Sequence, residues 1–148
     1  MALDFQMAAR ADYDGDAVIE SVQNEIAGLR AALGTQINAR LATLVIAGTS
    51  WTVSSSRIKY NKGGTSPTYT YPGPSVSSGD NPDIIWANLT AQQQAEWQAV
   101  YDATYNLIFV TNDHSEGIHN TGYAVNLLQC AYFALTGAQI GSPFVPLP

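Results

Sequence analysis

The chain has 148 residues, which favours one domain, 1–148, with enough chain to bury a hydrophobic core. Its net charge is −6, and its only clustered bases, Arg57, Lys59 and Lys62, are too few to neutralise a phosphate backbone, so we expect no nucleic-acid partner. No apolar run reaches the roughly 18 residues of a membrane span, and the N-terminus lacks the basic and apolar regions of a signal peptide.

Charged residues make up only 12 % of the chain, against a usual share of about 25 %. Two explanations stay open. A protein partner or a second copy of the chain covers part of the surface, or the surface is polar but uncharged, rich in Ser, Thr, Asn, Gln and Tyr.

An acidic turn, Asp12–Asp16, lies near the N-terminus, with acids alternating around Gly15. Carboxylates this close repel one another unless a cation lies between them, and Ca²⁺ takes oxygen ligands at about 2.3–2.6 Å. We therefore predict a calcium site. Its ligands are Asp12, Asp14, Asp16 and Glu20, with Glu25 available after a rearrangement.

The turn resembles the first half of an EF-hand or dockerin loop. It departs from that pattern at Ala17, where glycine is expected, and at Gln23, where a bidentate acid is expected. The alternative is a metal-free turn whose acids stabilise the N-terminus of the following helix through its dipole.

A long amphipathic helix is predicted from about Val18 to Val45. Its apolar residues recur every three or four positions. They are Val18, Val22, Ile26, Leu29, Leu33, Ile37, Leu41 and Leu44.

Residues 49–89 are rich in Gly, Pro, Ser and Thr and are predicted to form an insertion, either an ordered loop or a small β-hairpin with strands at 52–53 and 58–60. Aromatic residues are spread through it, and they form either a binding surface or a small core beneath the loop. They are Trp51, Tyr60, Tyr69, Tyr71 and Trp86.

Two further helices follow. Thr90 and Gln93 form a capping box for a helix that runs to about Thr111. Its wide, mostly apolar face is predicted to consist of Trp97, Val100, Tyr101, Thr104, Tyr105, Ile108 and Phe109. A third helix is predicted from about Thr121 to Leu135, and Gly137 is expected to end it. The expected fold is therefore mainly α, a three-helix domain made of one long helix and a helical hairpin, with the insertion at 49–89.

The loop between the last two helices holds both histidines, His114 and His119, beside Asp113 and Glu116. Three interpretations stay open. His119 is structural, with Asn120 capping the third helix; or His119 ligates a haem supplied by a neighbouring chain; or the cluster binds a transition metal. No nucleophile motif or phosphate loop is present, so we expect no enzyme.

The order of these segments resembles a known family. The acidic turn and long helix precede the run Y-N-x-x-F-V-x-N-D-x-S-x-G-I-H-N-x-x-Y-A-x-x-L-L, which reads from Tyr105 to Leu128. This arrangement is similar to the C-terminal helical region of bacterial multiheme c-type cytochromes. The resemblance implies an axial haem-ligand role for His119. The chain departs from the family at Thr121, where proline is usual, and in having one cysteine and no C-x-x-C-H, so it attaches no haem of its own.

These observations predict a non-enzymatic, haem-free, calcium-stabilised interaction domain in a periplasmic or extracellular assembly. The expected partner is a protein, a multiheme cytochrome among the candidates, or further copies of the chain. The alternative is a cofactor-free, self-assembling structural subunit of filament, capsid or tail type.

Overall fold

The computed structural model describes residues 6–43 and 90–143, together with the backbone of 50–54 and 57–61. In chain order the elements are α1 (Val22–Thr43), β1 (Ser50–Ser54), β2 (Arg57–Asn61), α2 (Ala91–Asn112) and α3 (Thr121–Thr136). The protein is mainly helical, and each of the three helices packs against the other two. The two strands pair antiparallel, with Trp51 opposite Tyr60.

The core lies along the predicted stripe of α1. Five of its residues are at most 2 % exposed, and their spacing of three or four turns them all to one side of the helix. They are Val22, Ile26, Leu29, Leu33 and Ile37. Each such aliphatic side chain contributes about 1.5–3 kcal/mol when fully buried, so this stripe is a principal source of stability.

The helix α1 begins four residues later than predicted. Val18 and Ile19 are 54 % and 61 % exposed and lie before the helix. Two features keep this segment out of the helix: the Val22 N–H, which would donate to the Val18 carbonyl in a longer helix, donates to the Met7 carbonyl at 2.7 Å, and the backbone at Ala17 has a positive φ of 73°. Ser21 is the residue that begins the helix, since its hydroxyl accepts from the Asn24 N–H.

The predicted ends of the other two helices are confirmed. Thr90 and Gln93 exchange side-chain to backbone hydrogen bonds at the start of α2, as a capping box does. Asn120 caps α3, and Gly137 ends it in the left-handed conformation that glycine tolerates best.

The exposed side of α2 differs from the sequence expectation. The predicted apolar face is confirmed at Trp97, Val100 and Thr104, which are buried, but the rings of Tyr105 and Phe109 are 52 % and 46 % exposed. The buried stripe is therefore shifted toward the neighbouring side of the helix. Its members are Trp97, Val100, Ala103, Thr104, Leu107 and Val110.

Arg40 joins the far end of α1 to α3. Its guanidinium Nη2 donates to the Leu135 carbonyl oxygen at 2.6 Å, in the last turn of α3. Carbonyls of a last turn have no partner within the helix, and a cation there also interacts favourably with the dipole. At the opposite end of α1 lies the acidic turn.

Candidate functional site: the acidic turn

The acidic turn is a closed loop whose two ends are paired. Residues 7–9 run antiparallel to 20–22. The Val22 N–H donates to the Met7 carbonyl at 2.7 Å, and the Ala9 N–H donates to the Glu20 carbonyl at 3.1 Å. The loop between them, 10–19, folds back over the first turns of α1.

Glu25 holds this loop in place by accepting hydrogen bonds from its backbone. It lies on the buried side of α1 and is only 1 % exposed. Its Oε2 accepts the N–H groups of Tyr13 at 2.7 Å and Asp14 at 3.2 Å, and its Oε1 accepts the Glu20 N–H at 2.9 Å. A carboxylate accepting several backbone donors is a charge-assisted arrangement. Glu25 therefore fixes the middle of the loop and its C-terminal end.

The aspartates fold the loop locally. Asp12 accepts the Gly15 N–H at 2.6 Å and the Ala17 N–H at 2.9 Å, one on each carboxylate oxygen. Asp14 Oδ1 accepts the Asp16 N–H at 3.2 Å. Such bonds to N–H groups a few residues ahead are the usual way in which Asp shapes a turn. They leave further lone pairs on the same oxygens.

Three carboxylates converge in this loop, and we call them the carboxylate triad: Asp12, Asp14 and Glu25. One oxygen from each lies within 4.8 Å of the others. Ligands on opposite sides of a Ca²⁺ ion are about 4.6–5.2 Å apart, twice the usual bond length, so the spacing admits a single ion. Since Ca²⁺ takes six to eight oxygens, carbonyls or waters complete such a shell.

Two predicted calcium ligands lie outside the triad. Asp16 is exposed, and its Oδ1 accepts the Val18 N–H. Glu20 is exposed as well, and only its backbone N–H bonds to a triad member, Glu25. Of the four predicted ligands, the triad therefore contains Asp12 and Asp14. Its third member is Glu25, which was expected to join only after a rearrangement.

Electrostatics in the turn favour a cation. Burial raises the pKa of the Asp14 carboxyl above its ordinary value; the N–H of Asp16 acts in the opposite direction, and the charges of Asp16, Glu25 and Asp12 add to the increase. The negative form of Asp14 is therefore disfavoured by its surroundings, and a positive ion between the oxygens removes that penalty.

Two glycines allow the turn to lie close to its neighbours. The Asp14 carboxylate rests on Gly28 of α1, where a Cβ would overlap Oδ2. Gly141, after α3, lies against the Tyr13 carbonyl in the same manner, and the Ser142 N–H donates to the Asp12 carbonyl at 2.7 Å. The acidic turn is thus enclosed between the start of α1 and the segment following α3.

Gln129 of α3 completes this enclosure. The side chain is fully buried, and its Nε2 donates to the carbonyls of Tyr13 at 3.2 Å and Ile140 at 3.0 Å. One amide therefore links the acidic turn to the C-terminal segment. Sequence reasoning missed Gln129. It also gave Glu25 only a secondary role. Glu25 is three positions from Val22 and four from Leu29, so its place on the apolar stripe of α1 could have been recognised from the sequence.

The two histidines stand apart from the triad. Both His114 and His119 are exposed in the loop between α2 and α3. Among the residues that the structure describes, the carboxylate triad brings at least three potential metal-ligating side chains together, and neither histidine belongs to it. Gly117 fixes this loop on α1, since it has a φ of 79° and a Cβ there would lie 2.7 Å from Ile26 Cγ1.

The aromatic residues of the insertion are described only in part. Trp51 and Tyr60 are cross-strand partners in the backbone register of β1 and β2. The predicted surface members Tyr69, Tyr71 and Trp86 lie outside the described residues. Both interpretations of these aromatic residues, a binding surface and a small core beneath the loop, therefore stay predictions.

No helix in the described part of the chain has the length and apolar character needed to cross a membrane. Comparison with known proteins found no matching family model, no matching curated protein and no matching solved structure.

Proposed function

We propose that the protein is a non-enzymatic interaction domain whose acidic turn binds Ca²⁺ and is stabilised by it. The observation that carries this proposal is the convergence of Asp12, Asp14 and Glu25 on one point, with ligand atoms within 4.8 Å of one another. Glu25 brings the helix to that point, while the aspartates bring the loop. A bound ion therefore ties the loop to α1.

The expected consequence is structural. The acidic turn contacts α1 through Gly28, α3 through Gln129 and the C-terminal segment through Ser142. An ion that holds the turn in place also holds these three parts against each other. The site thus acts as a calcium-dependent clamp on one end of the helical bundle, as suits a structural component of an extracytoplasmic assembly.

The test is a thermal melt in excess EGTA, repeated in millimolar Ca²⁺. A ligand that binds only the folded state adds about 2.7 kcal/mol at one hundred times its Kd, so the midpoint is expected to rise in Ca²⁺. Asp14→Asn should lose the rise, whereas Asp102→Asn, an exposed change on α2, should keep it. Identical melts of the wild-type protein in EGTA and Ca²⁺ would refute the calcium proposal.

Terbium offers a direct readout of location. Tb³⁺ occupies calcium sites, and its emission is sensitised by a neighbouring tyrosine; Tyr13 lies between two triad members. Luminescence excited through tyrosine, competed away by Ca²⁺ and abolished by Asp12→Asn would support the site. Emission that survives Asp12→Asn would place the ion elsewhere.

The expected assembly partner is a protein, and a multiheme cytochrome is one candidate. What supports it is the exposure of His119, whose imidazole is accessible to a haem held by another chain. A ferric haem peptide with an open axial position is the probe. A shift of its Soret band on mixing, lost in His119→Ala and kept in His114→Ala, is the expected result, and equal behaviour of the two variants would count against it.

A self-assembling structural subunit is the second candidate. The exposed apolar side chains favour it: Val18, Ile19, Tyr105, Phe109, Tyr123 and Phe133 are all more than 40 % exposed. Sedimentation at rising concentration, in Ca²⁺ and in EGTA, separates the candidates. Assembly that proceeds equally in both conditions favours the metal-free subunit.

A further inference from the structure

An aromatic patch lies on the surface of α2 and α3, and it shares no residue with the acidic turn. It consists of Tyr105, Phe109 and Tyr123, whose side chains are 52 %, 46 % and 47 % exposed. Tyr105 and Phe109 are four residues apart and so share one face of α2. The rings of Phe109 and Tyr123 meet edge to face, with centroids 6.2 Å apart and planes at 80°. Two helices therefore present one continuous aromatic surface.

Beside this patch is a surface concavity of about 350 Å³. Its walls are Tyr105, Ile108, Phe109, Asn112 and Asp113. Asp113 is exposed, and its carboxylate accepts a hydrogen bond from the Ser115 hydroxyl. The concavity thus combines aromatic rings, a side-chain amide and a negative charge.

The helices α2 and α3 and the loop between them have acidic side chains but no Lys or Arg, whereas Arg30 of α1 lines a different concavity, with Leu107 and Thr111. Residues 90–143 contain four acids, Glu96, Asp102, Asp113 and Glu116, and neither lysine nor arginine. No cationic side chain from this part of the chain neutralises Asp113. The field over the patch therefore favours a cation, and the negative faces of the aromatic rings attract one in addition.

We propose that this concavity receives an arginine side chain from a partner protein. A guanidinium stacks flat on aromatic rings and donates two parallel hydrogen bonds to a carboxylate, which a lysine ammonium does not do. The walls offer both features within one site. An isolated small molecule is the poorer occupant, because a small-ligand pocket encloses about 70–90 % of its ligand and this surface is formed by half-exposed side chains on a helical face.

This inference rests on the proposed role as an interaction domain and specifies the chemistry of the partner, but it does not depend on the calcium site. The rings of the patch and the carboxylate of Asp113 are separate from the triad. Loss of either function leaves the other measurable.

The first experiment compares two peptides that differ only in charge. Acetyl-Gly-Arg-Gly-amide and its citrulline counterpart have side chains of nearly the same shape, but citrulline is neutral. Titration of each is followed through the aromatic NMR signals of Tyr105, Phe109 and Tyr123. We expect saturable shifts with the arginine peptide and about two- to fivefold weaker binding of the citrulline peptide, the factor that one exposed cation–π contact provides. Equal binding of the two peptides would overturn the proposal.

Variants locate the binding. Phe109→Leu keeps an apolar side chain but removes the ring, and Asp113→Asn removes the charge; each should weaken the arginine peptide by about two- to fivefold. Phe133→Leu and Asp102→Asn are the matched controls, since Phe133 is 44 % exposed and Asp102 is exposed, and neither lines the concavity. Equal losses in the controls would overturn the proposed location.

Two further outcomes distinguish a partner's arginine from a second copy of the chain, and the arginine site from the calcium site. Concentration-dependent self-association that Phe109→Leu abolishes would make a second copy the occupant and overturn the arginine proposal. A wild-type protein that discriminates arginine from citrulline without any response to Ca²⁺ would refute the calcium proposal alone.

Discussion

The carboxylate of Asp14 lies directly against the Cα of Gly28, so closely that α1 has no room for a side chain at this position. Glycine inside a helix costs about 1 kcal/mol relative to alanine. At Gly28 that cost is offset by the approach of the acidic turn, which brings Asp14 to within reach of Glu25 and Asp12.

Gly28→Ala is therefore expected to destabilise the protein by about 1–3 kcal/mol, the usual range for forcing an extra methyl into a packed site. Gly34 is the matched control in the same helix, because a Cβ there meets only Leu107 Cδ2, at 3.9 Å. Gly34→Ala should stabilise by up to about 1 kcal/mol. Urea unfolding measures both, and a stabilised Gly28→Ala would contradict the close packing.

Glu25→Gln tests the carboxylate that holds the loop. An amide has one acceptor oxygen, so an NH₂ group must face either the Glu20 N–H or the N–H groups of Tyr13 and Asp14. The expected loss is about 1.5–3 kcal/mol in chelator, as for hydrogen bonds to charged groups.

The control for Glu25→Gln is Glu96→Gln, an exposed change on α2 that should stay within about 0.5 kcal/mol of the wild type. Urea midpoints of the two variants in EGTA give the comparison. Similar midpoints would show that the three N–H bonds to Glu25 contribute little.

The pH dependence of stability reports on Asp14. Since burial and the neighbouring carboxylates raise its pKa in the folded state, the folded protein binds this proton more tightly than the unfolded chain. The contribution is favourable below the unfolded pKa, about 3.9, and is lost as the pH rises through the folded pKa.

Asp14→Asn removes this titration while its side-chain oxygen still accepts the Asp16 N–H. In chelator the variant should be more stable than the wild type at pH 7, and the difference should shrink as the pH falls through the folded pKa of Asp14. Unfolding free energies from pH 3.5 to 7 test this, with Asp102→Asn as the exposed control. A difference independent of pH would rule out Asp14 as its source.

Gln129→Met tests the link between the acidic turn and the C-terminal segment. Methionine fills a similar volume but donates no hydrogen bond, so the carbonyls of Tyr13 and Ile140 lose a buried donor. We expect destabilisation by about 1–3 kcal/mol and faster hydrogen exchange at the Ser142 N–H. Gln98→Met, on the exposed side of α2, should change neither quantity.

The ends of α2 and α3 could be predicted from the sequence because each depends on residues that are close together in the chain. The capping box at Thr90, the Asn120 cap and the Gly137 stop each depend on residues within one helical turn of each other, and all three are confirmed. The start of α1 was predicted wrongly for the opposite reason. The stripe continues through Val18, but the Val22 N–H, which would donate to the Val18 carbonyl in a longer helix, donates to the Met7 carbonyl instead.

The same distinction applies to the candidate site. The alternating acids Asp12, Asp14 and Asp16 predict a cation-binding turn from sequence alone, because neighbouring carboxylates repel one another. Which further acid joins them depended on how the loop folds back. Glu20 is nearer in sequence, but Glu25 lies on the face of α1 that the loop covers.

The sequence by itself determined three helices, the caps of α2 and α3, and the concentration of acids near the N-terminus, since periodicity, capping chemistry and charge depend on residues that are close in sequence. Tertiary structure alone decided that Glu25 and Gln129 hold the acidic turn, and that Tyr105 and Phe109 stay on the surface. Those outcomes depend on which faces of α1, α2 and α3 meet. With apolar residues on more than one side of α2, the pattern permits several faces, and packing against the other two helices buries only one of them.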